Sequence, residues 1–272
     1  MADRFGPLHA ELMALLRRLQ PDDWGRPTSA GNWRVRDVVA HLLDGDLRRL
    51  SIARDGHFVP PGRPIEEYDD LVGYLDDLNA DWLRALDRVS PTLLVDLLGY
   101  VGPQLAAFMA TLDPSDTAPL GVAWAGQERS PNWLDAGREY TERWHHQDQV
   151  REAVGAEPLA DDRWLRPVLE ISLRALPHAY RDVRPEAGAR SAVVIETTGA
   201  GAGRWSLVRE GDRWALYDGA PADPACRVAL PGLVAARLLL HRLPAEEVRE
   251  HVAIEGEERL ARPFLEARAV MV

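Results

Sequence analysis

The sequence predicts two architectures in series: a helical bundle, then a small α+β domain with a mostly antiparallel sheet. Through about the first 180 residues, apolar side chains recur every three or four positions, the period of an amphipathic helix. Beyond RPEAGAR (184–190) they fall into short β-branched or alternating runs separated by Gly, Pro and Asp. A third observation gives the bundle a purpose. Glu142 and His146 stand four residues apart in REYTERWHHQDQVREAVG (138–155), about a hundred residues after His41 in WRVRDVVAHLLDGD (33–46).

Taken in order, Leu8, Leu12, Leu15, Leu16 and Leu19 form the first apolar stripe, which Pro21 ends. A second helix is expected from near Val35 to about Arg54, and HFVPPGRP (57–64) is too rich in proline to continue it. Leu71, Tyr74, Leu75, Leu78, Trp82, Leu83 and Leu86 predict a third helix over 66–89, and Pro91 opens a fourth up to about Leu112. Residues 113–132 read as a long loop in which Trp124 is placed to wall a pocket. The helix bearing Glu142 follows, and then one from Asp162 to about Tyr180. In the last third, SAVVIET, RWSLVRE, DRWALYD and ACRVALP predict about four strands. Helices are expected at 232–242 and 257–267, with the short strand HVAIEG between them.

Composition narrows the function. The chain has 272 residues, 46% apolar and 28% charged, which is globular composition. Its net charge of −11 gives no basic footprint for nucleic acid. All 32 basic residues are arginine, so Schiff-base lysine chemistry and the P-loop lysine are excluded. The lone Cys226 permits neither a CxxC pair nor a thiolate zinc cluster. The N-terminal stretch carries mixed charge with no apolar h-region, and no uninterrupted apolar run approaches the roughly 20 residues of a membrane span. A cytoplasmic protein without membrane or nucleic-acid partners, monomeric or homodimeric, is the expectation.

On a helix, Glu142 and His146 share a face, while Arg143, Asp148 and Arg151 fall off it. His41, ringed by Val38, Val39, Leu42 and Leu43, points towards a bundle interior. Two nitrogens and one oxygen on two helices suit a divalent cation, zinc foremost, with coordination positions left open. Spacing alone also fits an ordinary surface Glu–His pair, worth ~0.2–0.5 kcal/mol, together with a core histidine. His145 is a rival ligand about 100° round the helix, with a structural or surface role the plainer reading. Trp33 reads as a packing anchor.

W-R-V-R-D-V-V-A-H-L followed by E-x-x-x-H resembles the mycothiol-dependent maleylpyruvate isomerase family, part of the DinB-like group of metal-binding four-helix bundles. The resemblance implies a DinB-like bundle over 1–183 and a sterol-carrier-like α+β domain over 190–272. It implies His41, Glu142 and His146 as metal ligands, and mycothiol or a similar thiol as cosubstrate beside a small electrophile. It also implies an arginine supplied by the C-terminal domain; the matching position is Arg242, for which a surface role is the alternative. The chain departs from the family pattern at Arg34, where Ser or Thr commonly caps the helix, so that Asn32 is expected to cap, with Asp37 favourable in the first turn. It departs again at Gln149, where an Asp is common. The implied activity is isomerisation or S-transfer by an activated thiol. A metal-dependent hydrolase using water, and a non-catalytic metal or small-molecule binder, remain as alternatives.

Overall fold

The structure is a computed structural model that describes residues 1–184, 192–240, 242–243 and 245–270. It forms two compact units. One comprises Met1–Gly121 with Arg129–Pro158; the other comprises Val122–Glu128 with the chain from Leu159 onward.

The first unit is helical: α1 (Phe5–Leu16), α2 (Val35–Arg49), α3 (Tyr68–Leu86), α4 (Pro91–Thr111) and α5 (Asn132–Val154). The expected stripe on α1 buries Leu8, Leu12, Leu15 and Leu16 against α4 and α5. Gly102 allows α4 to come close, because a Cβ there would lie 2.1 Å from the His9 ring. The start of α2 corrects the expected cap. Its N-cap is Arg34, not Asn32, and Asp37 Oδ2 accepts the Arg34 backbone N–H at 2.9 Å. The carboxylate thus satisfies an N-terminal donor and meets the positive end of the helix dipole. Past Arg49 the helix continues as one wider π turn, Leu50–Arg54. The helix α4 starts as its sequence predicts, with Ser90 Oγ accepting from Leu93 N–H and Pro91 in the first turn. Although Asp96 and Gln104 interrupt its apolar run, α4 is long and apolar enough to cross a membrane by length and composition, with mean hydropathy 1.5. Here one side of it, Leu94, Leu98, Val101, Leu105 and Met109, is buried in the unit, packing on α1 and α2.

Most of α5 is buried on every side, although Asp135, Glu139, His145, His146, Gln147, Asp148, Gln149 and Arg151 lie along it. A helix of that composition cannot be buried by hydrophobicity. Its polar groups must find partners in the interior. Arg143 and Arg151, expected off the ligand face, are off it, the first half-buried and the second buried; each side chain reaches a carboxylate of another helix, Asp46 and Glu11 respectively. The helix ends at Gly155 in the left-handed conformation, φ 69°.

The second unit holds a five-stranded sheet of β1 (Ala192–Thr198), β2 (Gly203–Glu210), β3 (Arg213–Asp218), β4 (Cys226–Pro231) and β5 (Ala253–Gly256). The strand order is β3-β2-β1-β4-β5, antiparallel throughout except for the β1–β4 pair. The helices of this unit are α6 (Asp162–Ser172), α7 (Leu176–Ala179), α8 (Gly232–Leu239), α9 (Ala245–Arg249) and α10 (Glu258–Glu266). The expected helix from Asp162 to Tyr180 is therefore α6 and α7 joined by a tighter turn, Leu173–Ala175. The expected boundary at 183–190 assigned both to the bundle, whereas in the structure α6 packs on α8 and α7 on β3. Tyr180 Oη donates to the Leu260 carbonyl at 2.6 Å, tying the end of α7 to α10. Residues 185–190 of the expected linker lie outside the described residues.

Candidate metal centre

The three candidate ligands are brought together by α2 and α5. His41 Nε2 lies 3.3 Å, and His146 Nε2 3.0 Å, from the same carboxylate oxygen, Glu142 Oε1. One ligand atom from each residue lies within 4.8 Å of the others. The two imidazoles meet edge to face, with ring centres 4.7 Å apart. Both Nε2 atoms therefore converge on one carboxylate, which is the arrangement a shared cation imposes on its donors.

Protonation states fit a cation too. Burial pushes the His41 imidazole below its ordinary range and the nearby His146 adds to this; both outweigh the hydrogen bond that Glu142 accepts and the attraction of its charge. Burial works against ionisation of Glu142, yet His146 and His41 hold its carboxyl well below the usual carboxylate range. A neutral imidazole and an ionised carboxylate at neutral pH are metal-ligand states. The Nδ1 of His41 is buried with no protein partner among the described residues, so its Nε2 is the nitrogen engaged in the cluster.

Gln149 fixes the other histidine. Its Oε1 lies 2.7 Å from His146 Nδ1, so Nδ1 carries the proton and Nε2 presents a lone pair. An Asp would orient the ring in the same way and add a negative charge; Gln149 orients it and leaves the charge unchanged. The amide nitrogen of Gln149 lies 3.2 Å from His145 Nε2. His145 is thus buried and structural, and it is not a surface residue. Trp33 is more than a packing anchor: its half-buried ring lies 4.9 Å from His41 and stacks at 28° over His146. Sequence reading had only its position before α2 to go on, which gives no ring orientation.

Beside the ligands runs an ion-pair network. Arg49 binds Asp135, and Arg138 binds both Asp135 and Glu139 at 2.8 Å. Arg143 binds Glu139 at 2.9 Å and also Asp46 of α2. Although Glu139 is buried, Arg138 and Arg143 pull its carboxyl down to about 2. The signal in the sequence was the spacing 135, 139, 142, 146, which is one face of α5.

Two other expected site residues belong to the α+β unit. Arg242 follows α8, with its backbone N–H on the Arg237 carbonyl at 2.8 Å. Trp124 does wall a cavity, of about 350 Å³, together with Ala175, His178, Ala179 and Pro263 of its own unit.

A family model described as the mycothiol maleylpyruvate isomerase N-terminal domain matches residues 5–151. Among solved structures, the mycothiol-dependent maleylpyruvate isomerase is similar over 94% of this chain and 92% of its own, with 13% identity and a TM-score of 0.55. A histidine-to-alanine mutant of that enzyme matches over the same shares, with 13% identity and a TM-score of 0.54. No curated protein sequence matches. The structural likeness bears on the fold. The family model covers more than half of the chain and contains all three candidate ligands, and this chain belongs to the mycothiol maleylpyruvate isomerase N-terminal domain family.

Proposed function

We propose that this protein is an enzyme that activates a low-molecular-weight thiol of the mycothiol kind and uses it to isomerise a small unsaturated electrophile. The divalent cation, zinc foremost, would be held by His41, Glu142 and His146. The observation that carries the reading is the convergence of two Nε2 atoms on Glu142 Oε1. Family membership supports the thiol and the reaction class.

A cation in this donor set supplies Lewis acidity, which lowers the pKa of a thiol so that its anion exists near neutral pH. The chain's own residues do the rest. Gln149 keeps the proton on His146 Nδ1, and the low pKa of His41 keeps that ring neutral. Trp33 covers one side of both imidazoles and keeps water from that side. The reaction itself needs no redox partner. The thiolate sulfur adds to one alkene carbon and its neighbour takes a proton; the new single bond rotates, and loss of both returns the thiol and the other geometric isomer. Cys226 is buried in the sheet with its thiol pushed up to about 11, so it is not the nucleophile.

Elemental analysis of the wild type and of His41→Ala, Glu142→Ala and His146→Ala tests the centre. About one metal per chain in the wild type and loss of it in each variant is the expected result. Stoichiometric metal in all three variants overturns the site. Turnover that persists without added thiol overturns the thiol.

A further inference from the structure

The metal ligands occupy only the upper part of the α2–α5 interface, and the stretch below them has an unusual composition. His41 reaches Glu142 and Arg49 reaches Asp135, so the two helices run antiparallel there. Gly45 lies one turn from each of His41 and Arg49 on α2 and must also face α5. Its opposite number is Arg138, one turn before Glu142. Apart from its chain neighbours and the backbone of its own helix, no heavy atom among the described residues lies within 4 Å of where a Gly45 Cβ would stand. A helix-interior glycine is destabilising relative to alanine, and nothing in the packing requires this one.

The charge around Arg138 suits an anionic ligand there. The network, part buried and part exposed, holds three arginines (49, 138 and 143) and four carboxylates (Asp46, Asp135, Glu139 and Glu142). A divalent cation on Glu142 would therefore leave the cluster with one net positive charge, which favours an anion beside it. Buried donors are also left over: Nε and Nη1 of Arg49 and Nε of Arg138 have no protein partner among the described residues. The Arg138 and Glu142 side chains remain 25% and 34% exposed, so the gap is reachable from solvent.

We propose that Arg138, across the gap left by Gly45, receives the carboxylate of a small anionic ligand whose reacting end lies at the His41–Glu142–His146 centre. Arg49 backs it from beneath, through Asp135. This deepens the metal–thiol reading and rests on it. Arg138 would then select among ligands sharing the same reactive group and differing in a carboxylate.

Two thiols that differ in that respect make the test. Protein loaded with Co(II) is titrated calorimetrically with mercaptoacetate and with 2-mercaptoethanol, and Co(II) content and circular dichroism are recorded alongside. The wild type is expected to bind mercaptoacetate roughly tenfold more tightly. In Arg138→Met the preference should vanish with Co(II) content unchanged, while Arg138→Lys should keep part of it. Gly45→Leu should weaken both thiols about tenfold, again with full Co(II) content and undiminished helicity. A wild type that binds neither thiol or shows no preference, an unchanged preference in Arg138→Met, or wild-type binding by Gly45→Leu overturns the subsite. Wild-type protein that takes up no Co(II) overturns the metal reading, and the subsite falls with it.

Discussion

Gln149 is where this chain departs from its family's common pattern and where the structure still supplies an orienting hydrogen bond. Because its Oε1 accepts from His146 Nδ1–H, Gln149→Leu should leave the fold intact and lower metal affinity about 10–100-fold, measured by chelator competition. Unchanged affinity would mean that the ring is set by Trp33 and packing alone. The same cluster sets the acid sensitivity of the metal-free protein. His41 and Glu142 both titrate lower folded than unfolded, so each binds fewer protons in the native state and stability rises with pH through both windows. As pH falls, the His41 contribution fades below about 6.5 and that of Glu142 below about 4.5. Glu139, which Arg138 and Arg143 hold down to about 2, also loses its contribution as pH falls below about 4.5. Bound zinc competes with those protons, so acid unfolding followed by tryptophan fluorescence should shift to lower pH when zinc is added. Coincident curves would argue against His41 and Glu142 as ligands.

Among the elements, α5 decides the site, and its role was only partly legible in the sequence. The four-residue spacing of Glu142 and His146 was readable because helical periodicity alone puts them on one face. That Arg49 pairs with Asp135 and Arg143 with Asp46 was not, since pairing between α2 and α5 depends on their register, which composition does not encode. Nor could the sequence reveal that α6 packs on α8: its apolar face, with Trp164, Leu165, Val168 and Leu169, reads alike against a bundle or a sheet. The ion-pair network makes a sharp prediction. Asp135 is fully buried and holds both Arg49 and Arg138. Removing it strands a buried guanidinium, so Asp135→Ala should cost about 3–5 kcal/mol in urea unfolding. The double variant Arg49→Met/Asp135→Leu removes both charges of the pair and should recover much of that loss. Equal destabilisation of single and double variants would show that Asp135 acts by packing and not by charge.

At the scale of the molecule, the order of the two units was legible and their partition was not. Chain order placed helices before strands. The structure instead has the chain enter the α+β unit at Val122, leave it at Glu128 and return at Leu159. The short excursion is anchored there by Trp124, which is buried, and by Gly126, at φ 70°, where a Cβ would lie 2.3 Å from His178 Nδ1. Both flanks of that excursion are bundle residues, so the backbone passes between the two units there as well as at Pro158–Leu159. Folding of the two should therefore be coupled through the backbone. Zinc binds only the helical unit in our reading, and at about a thousandfold excess over its Kd it adds about 4 kcal/mol to the folded state. For a unit of this size that raises the unfolding temperature by roughly 10 °C. Scanning calorimetry should then show a single transition that moves as a whole when zinc is added. Gly126→Ala, which strains the anchor, should split it into two transitions, of which zinc moves only one. Two transitions in the wild-type protein would show that the excursion is no mechanical link.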